Sequence, residues 1–317
     1  MSKYKTSRGA SITKLVIWSI VALILIPTFL LLMLGKTFSI NISGVTFFDN
    51  YFYSESQSYS VGNTSYKGSI DEISIDWVAG EVNIVLYDGE EIKIEESGAG
   101  NSDSERMRTR INDNTLDIKY VKSGVKIPSE NLTKKLFVYL PQKANDWKID
   151  VDVDTVSASV NIGKPESILK AGEVEIDTAS GKTQIFADAA DVSVDSASGN
   201  IGITGNIHRA EIGSVSGAVN ITGEVSDVHI STVSGGVGVT TYIALPRKMQ
   251  VDTVSGNVEI GLPDIMDGFD ADLDSVSGKM SWNDGSGRSF TYGQGRADYN
   301  FETVSGDVKI QISNKEE

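Results

Sequence analysis

Apolar and polar residues alternate through the C-terminal half of the chain in a phrase that returns eight times. TVSG or a close variant is followed by two or three alternating apolar positions. Its serine falls at Ser157, Ser180, Ser198, Ser216, Ser234, Ser255, Ser277 and Ser305, at intervals of 23, 18, 18, 18, 21, 22 and 28 residues. Short strands repeated at a period near 20 predict stacked coils, each burying its apolar face only against its neighbours. Aligned on the serine, position −4 holds Val153, Ile176, Val194, Ile212, Ile230, Val251, Leu273 and Phe301. Position +3 holds Val160, Thr183, Ile201, Val219, Val237, Val258, Met280 and Val308. Position +5 holds Ile162, Ile185, Ile203, Ile221, Val239, Ile260, Trp282 and Ile310.

These columns predict two strands per coil with alternate side chains pointing to one interior. Position −1 is also small and apolar (Val156, Ala179, Ala197, Val215, Val233, Val254, Val276, Val304). Its expected place is inside too, which puts a bend on the preceding Asp-Thr pair. Glycine follows the serine in every repeat but one, where Ala158 stands, and marks a turn or bulge. The predicted fold is all-β: a parallel β-solenoid of about eight to nine coils, preceded by one transmembrane helix.

Upstream, Ile73 to Leu86 repeats the phrase with Ala79 at the serine position, so it reads as a degenerate first coil. Alternating segments at Glu91–Glu96, Met107–Ile111, Thr115–Val121 and Lys135–Leu140 predict further strands. Lys93 to Lys126 does not fit the period and reads as a hairpin excursion or N-terminal cap.

Leu15 to Leu34 is twenty residues without a charge, long enough as a helix for the roughly 30 Å of a bilayer core. It exceeds the apolar run of a cleaved signal peptide and lacks a small-residue cleavage site, so an uncleaved anchor is expected. Lys3, Lys5, Arg8 and Lys14 precede it, which predicts a cytoplasmic N-terminus and an exterior C-terminal domain. The predicted organisation is a basic tail at 1–14, the anchor at 15–34 and a Ser/Tyr/Asn-rich stalk at 35–69. A strand-rich N-terminal part or cap follows at 70–150, then the repeat solenoid at 151–312 and a tail at 313–317.

Charge and composition narrow the chemistry. The chain carries −15, and the first 36 residues hold five lysines and arginines and no acid, so the rest carries −20. Nucleic acid is not an expected partner of such a surface. With no cysteine, disulfides and thiolate metal sites are excluded.

Two columns invite a chemical reading. Position −2 is always a hydroxyl: Thr155, Thr178, Ser196, Ser214, Thr232, Thr253, Ser275 and Thr303. It reads either as a sugar-binding strip or as hydroxyls bonded to the backbone at a corner, and the recurrence in every coil favours the corner. Position −3 holds Asp154, Asp177, Asp195, Gly213, Ser231, Asp252, Asp274 and Glu302. Stacked carboxylates are Ca²⁺ ligands or solvated turn acids. The interruption at Gly213 and Ser231, and the lack of a glycine-rich calcium nonapeptide, favour turns.

His208 and His229 are the only histidines and do not share a repeat position, and no HExxH, GxSxG or P-loop phrase occurs. No catalytic, cofactor or metal residue is assigned, and an enzyme is not expected. The longest insertion, Trp282 to Tyr299, predicts a hairpin whose Trp282, Phe290, Tyr292 and Tyr299 close an end of the stack or form a carbohydrate platform. Outward positions +2 (Lys182, Asn200, Asn257, Lys279, Asp307) and +4 (Asn161, Gln184, Asn220, Glu259, Lys309) vary freely.

The phrases VDTVSGNVEI (Val251–Ile260) and FETVSGDVKI (Phe301–Ile310), after LFVYLPQKANDWKIDVDTVSA (Leu136–Ala158), resemble the bacterial putative-adhesin family of unknown function. That family includes LiaG-like and YvlB-like membrane proteins of Gram-positive bacteria. The resemblance covers roughly Ile70 to Ile312 and implies a β-solenoid exterior domain, no established catalytic residues and company with envelope stress-response genes. The expected function is a membrane-anchored adhesin-like module of the cell envelope, with wall polymers or envelope proteins as partners. The alternatives are an accessory regulator of an envelope stress response and, third, a wall-polysaccharide enzyme.

Overall fold

After residue 70 the strands alternate with no long helix-period segment between them, which leaves pairing between strands as the way to satisfy that part of the backbone. The computed structural model describes residues 51–98, 102–127 and 134–313, and these are all-β with three single-turn 3₁₀ segments. The Leu15–Leu34 anchor lies outside the described residues. Among the described residues no helix is long and apolar enough to cross a membrane. The described chain falls into two compact units, residues 51–189 and 190–313.

The first unit runs β1 (Ser60–Val61), β2 (Thr64–Tyr66), β3 (Glu72–Tyr87), β4 (Ile92–Ser97), β5 (Arg108–Asn112), β6 (Thr115–Lys119), β7 (Lys135–Pro141), β8 (Ile149–Ile162), β9 (Leu169–Ser180) and the start of β10 (Thr183–Ser198). β3 is indeed a repeat coil: it pairs in parallel with β8 from Glu72↔Asp150 to Ile84↔Ile162, and Ala79 lies opposite Ser157. On its other side β3 pairs in parallel with β6 and then with β7. Antiparallel β5 and β4 edge β6 and β7, and β1 and β2 edge those in turn. The excursion after β3 thus lies along the side of β3 away from β8. The supposed stalk differs from expectation, because residues 51–66 are folded in. Tyr51 is fully buried, and its hydroxyl donates to the carbonyl of Asp76. Composition misleads here because short edge strands need few apolar residues.

The second unit takes the end of β10 and continues through β11 (Ile201–Thr204), β12 (Ile207–Ser216), β13 (Val219–Thr222), β14 (Val225–Ser234), β15 (Val237–Thr240), β16 (Lys248–Thr253) and β17 (Val258–Pro263). It ends with β18 (Phe269–Ser275), β19 (Met280–Trp282), β20 (Gly285–Gly287), β21 (Ser289–Tyr292), β22 (Ala297–Thr303) and β23 (Val308–Ser313). β12, β14 and β16 stack in parallel, as do β11, β13, β15 and β17, with repeat positions in register.

The order then departs from the sequence. β22 pairs with β16 on one side and β18 on the other, and β23 lies between β17 and β19. The last coil in the chain is thus the penultimate coil of the stack. The 280s insertion closes the far end, with β20 antiparallel to β19 and β21 antiparallel to β18.

The core follows the predicted columns at −4, +3 and +5, which are buried with the exception of the half-exposed Trp282. Position −1 is a correction. Those side chains face outward, half-exposed in most coils and 54% exposed at Val276. Position −2 points in instead, at 0–5% exposure. Strand alternation therefore runs unbroken from −4 through −2, and the odd step falls at the Val-Ser-Gly corner rather than at Asp-Thr.

Candidate functional site

The inward hydroxyls explain that corner. Thr155 Oγ1 accepts from Ala158 N–H at 3.1 Å, Thr253 from Gly256 at 2.9 Å, Ser275 from Gly278 at 2.6 Å and Thr303 from Gly306 at 2.8 Å. In a second corner type the hydroxyl donates forward, Thr178 to the Ser180 carbonyl at 3.0 Å and Thr232 to that of Ser234 at 3.5 Å. The second type goes with a left-handed backbone at the next residue, Gly181 at φ +131° and Gly235 at +134°, and Gly199 and Gly217 share that conformation at +133° and +128°. Only the first type tolerates alanine's backbone angle, which accounts for Ala158. All eight hydroxyls are buried and six of them are bonded to the backbone, while Ser196 and Ser214 Oγ are buried without a partner, so the column presents no outward strip for a sugar.

The repeat serines staple neighbouring coils. Ser157 Oγ donates to the Val78 carbonyl, Ser180 to Val156, Ser234 to Val215, Ser255 to Val233, Ser277 to Val304 and Ser305 to Val254, all at 3.3–3.4 Å. These are long bonds, so each is weak and the ladder acts by repetition. The phrase TVSG is thus a structural signature: Thr fixes the corner from within, Ser ties it to the adjacent coil, and Gly permits the close approach.

The −3 acids are not turn residues. They stand on strand faces in register, Asp76↔Asp154↔Asp177 in the first unit and Asp252↔Glu302↔Asp274 in the second. Asp154 is pushed up to about 7 by burial, then by Asp152, Asp177 and Asp76. Asp152 is pushed up to about 6 by burial and by Glu175 and Glu72. Burial also raises Asp252. Burial therefore favours protonation of these carboxyls, reinforced at Asp154 and Asp152 by their acidic neighbours. No group of three or more His, Cys, Asp or Glu among the described residues has the geometry to hold a metal ion.

The aromatic insertion caps the core. Phe290 lies opposite the inward Ala271 and stacks on Trp282 at 4.2 Å with planes 11° apart. Beneath them Phe269 and Tyr299 stack at 4.7 Å, both fully buried. Tyr299 is part of β22 inside the stack rather than of the cap.

Two features had no signal in the repeat pattern. Lys134 is buried with its Nζ 2.9 Å from Glu96 Oε2 and over the rings of Trp77 and Tyr120 at 5.1 and 4.4 Å. It bonds the carbonyls of Glu105 and Tyr120, so it clamps the excursion, and burial holds its ammonium below the usual lysine range. The second feature is an outward aromatic pair, Phe137 and Tyr139, on β7. Strict alternation in KLFVYLP was its available signal.

What remains for partners is the outside. Positions +2 and +4 face outward as expected, exposed at Lys182, Asn257 and Lys309 and half-exposed at Asn161 and Gln184.

A search of curated proteins finds no match. Among solved structures, the chain is similar to a putative adhesin from Bacteroides fragilis NCTC 9343 at 14% identity, covering 79% of this chain and 97% of that one with a TM-score of 0.45. It is similar to a putative adhesin from Parabacteroides distasonis ATCC 8503 at 12% identity, 80% and 97% coverage and a TM-score of 0.43. A putative lipid binding protein from the same strain aligns at 15% identity, 79% and 96% coverage and a TM-score of 0.35. The family model for Toastrack DUF4097 matches residues 70–311, from the buried Ile70 into β23, and the chain belongs to that family.

Proposed function

We propose that the protein is a membrane-anchored, extracytoplasmic and non-enzymatic binding module of the bacterial cell envelope. In this reading the repeats form one β-solenoid of about eight to nine coils, held outside the cell by the Leu15–Leu34 helix with the N-terminus in the cytoplasm. The observation that carries it is the division of labour in every coil. Inward positions are filled by Val, Ile and the corner hydroxyls, while variation is confined to outward positions on broad sheet faces. Such faces offer many modest contacts, so binding strengthens when many copies are displayed. The −20 carried after residue 36, and the lack of cysteine, suit an exterior surface.

Protease added to protoplasts tests the placement: it should remove the domain and leave a short membrane-bound stub, and full protection would reverse the topology. Replacing Leu15–Leu34 with an unrelated anchor tests the function. Retained cell or polymer binding supports a surface module, whereas loss would favour a regulator acting through its membrane helix.

A further inference from the structure

In the first unit β7 alternates strictly. Leu136, Val138 and Leu140 are buried, so Phe137 and Tyr139 lie on the outer face, where the core does not need them. A solvent-facing sheet surface is ordinarily polar. Here two rings sit 5.6 Å apart with planes only 10° apart, and Tyr87 meets Tyr139 edge-on at 5.8 Å. Tyr87 is itself fixed by its hydroxyl bond to the Glu91 carbonyl at 2.6 Å. The aromatic shelf is therefore held in place before any ligand arrives.

Strand register continues the shelf sideways as a row of side-chain amides. Phe137 lies opposite Asn83, Asn83 opposite Asn161, and Asn161 opposite Gln184. Asn161 Nδ2 donates to Asn83 Oδ1 at 3.1 Å, and Asn83 Nδ2 donates to the Leu136 carbonyl at 3.2 Å, which orients the row. Its rungs are one strand apart, about 4.8 Å. Of the flanking charges, Lys135 pairs with Glu81 at 2.8 Å and the Lys93 ammonium lies over the Tyr87 ring at 5.0 Å, while Glu95 lies opposite Phe137 and sets a carboxylate beside the shelf.

We propose that this face binds a neutral polysaccharide laid across β7, β3 and β8, with sugar rings stacked on Phe137 and Tyr139 and hydroxyls bonded to the amides of Asn83, Asn161 and Gln184. Aromatic faces take the C–H side of a pyranose, and amides supply both a donor and an acceptor to its hydroxyls. An anionic polymer meets the carboxylate of Glu95 beside Phe137, and the chain as a whole carries −15. A peptide adding as a strand finds no free edge, because β7, β3 and β8 are each paired on both sides. The proposal rests on the binding-module reading above and names its ligand class.

The test uses the full chain purified in detergent, with a soluble neutral β-glucan and chitin hexasaccharide as probes, polygalacturonate as the anionic control and casein as the protein control. Phe137→Thr with Tyr139→Thr preserves strand propensity. Asn161→Ala with Gln184→Ala removes amide groups alone. Binding of a neutral probe that weakens at least ~tenfold in both variants, with unchanged melting temperature, is the expected result. Neutral-probe binding that survives both variants overturns this site, and so does a preference for polygalacturonate or casein, while either leaves the module reading standing. Failure to bind any probe, together with loss of cell binding by the anchor-swapped protein, overturns both.

Discussion

Ser305 donates its hydroxyl to the carbonyl of Val254, 51 residues earlier, and skips the repeat at Ser277 that lies between them in sequence. Ser277 in turn donates forward to Val304. The two bonds fix the order of the final coils as 255, 305, 277.

Removal of everything after Gln294 should therefore cost two coils. Among the described residues, β18 and β19 have their parallel partners only in β22 and β23. Hydrogen exchange should show the amides of Phe269–Ser275 and Met280–Trp282 losing protection in the truncated chain, while Val225–Ser234 keeps it. Retained protection in β18 would mean that it can dock directly on β16.

The reassignment of positions −1 and −2 separates two aspartates. Ile221→Asp buries a carboxylate at a site 2% exposed and should destabilise by about 3–5 kcal/mol. Val233→Asp, at a half-exposed −1 position, should cost under about 1 kcal/mol. Denaturant midpoints for both decide it; equal losses would return the valine to the core.

At the corners, Gly217→Ala should destabilise by more than about 1 kcal/mol, because φ is +128° and a Cβ would sit 2.1 Å from the Gly199 carbonyl oxygen. Gly256→Ala should also destabilise, from the 1.9 Å approach to Gly235 O alone. Ala158→Gly should cost only about 0.5–1 kcal/mol. Thermal melts of the three variants give the ranking, and a neutral Gly217→Ala would contradict the two-corner scheme.

Stability should fall as pH rises through neutrality. Asp154 and Asp152 keep their protons in the folded state up to about 7 and about 6, whereas the unfolded chain releases them near 4. Between those limits the folded state binds more protons, so these groups favour it less with each step upward. The melting temperature should drop from pH 5 to pH 8, and Asp154→Asn should flatten the slope and raise stability at pH 8. An unchanged slope in that variant would remove the stacked carboxyls as the cause.

The columns at −4, +3 and +5 were legible because alternation within a strand fixes which face is buried. The corner role of Thr155 and its equivalents was legible, but Val156 and its equivalents were misplaced inside because hydropathy ranks valine above threonine, whereas the corner needs a small group that can hydrogen-bond from within. The coil order was not legible, since near-identical repeats specify a coil without specifying its neighbour. Only the long spacing before Ser305 hinted at a detour. Phe137 and Tyr139 stood in plain alternation, but repeats draw the eye to what recurs, and a binding face is carried by what does not.

A chain that enters its own stack one coil from the end also responds to force in a particular way. Tension from the C-terminal side first meets Gln311–Ser313, laddered to β17 alone, and then Val308–Ile310 and β22, which are bonded on both sides, so a pull that passes Gln311 must shear two parallel ladders at once. Within the first unit β3 is likewise flanked by β8 and by β6 with β7. A protein tethered at one end and gripped elsewhere would meet its load at doubly bonded strands.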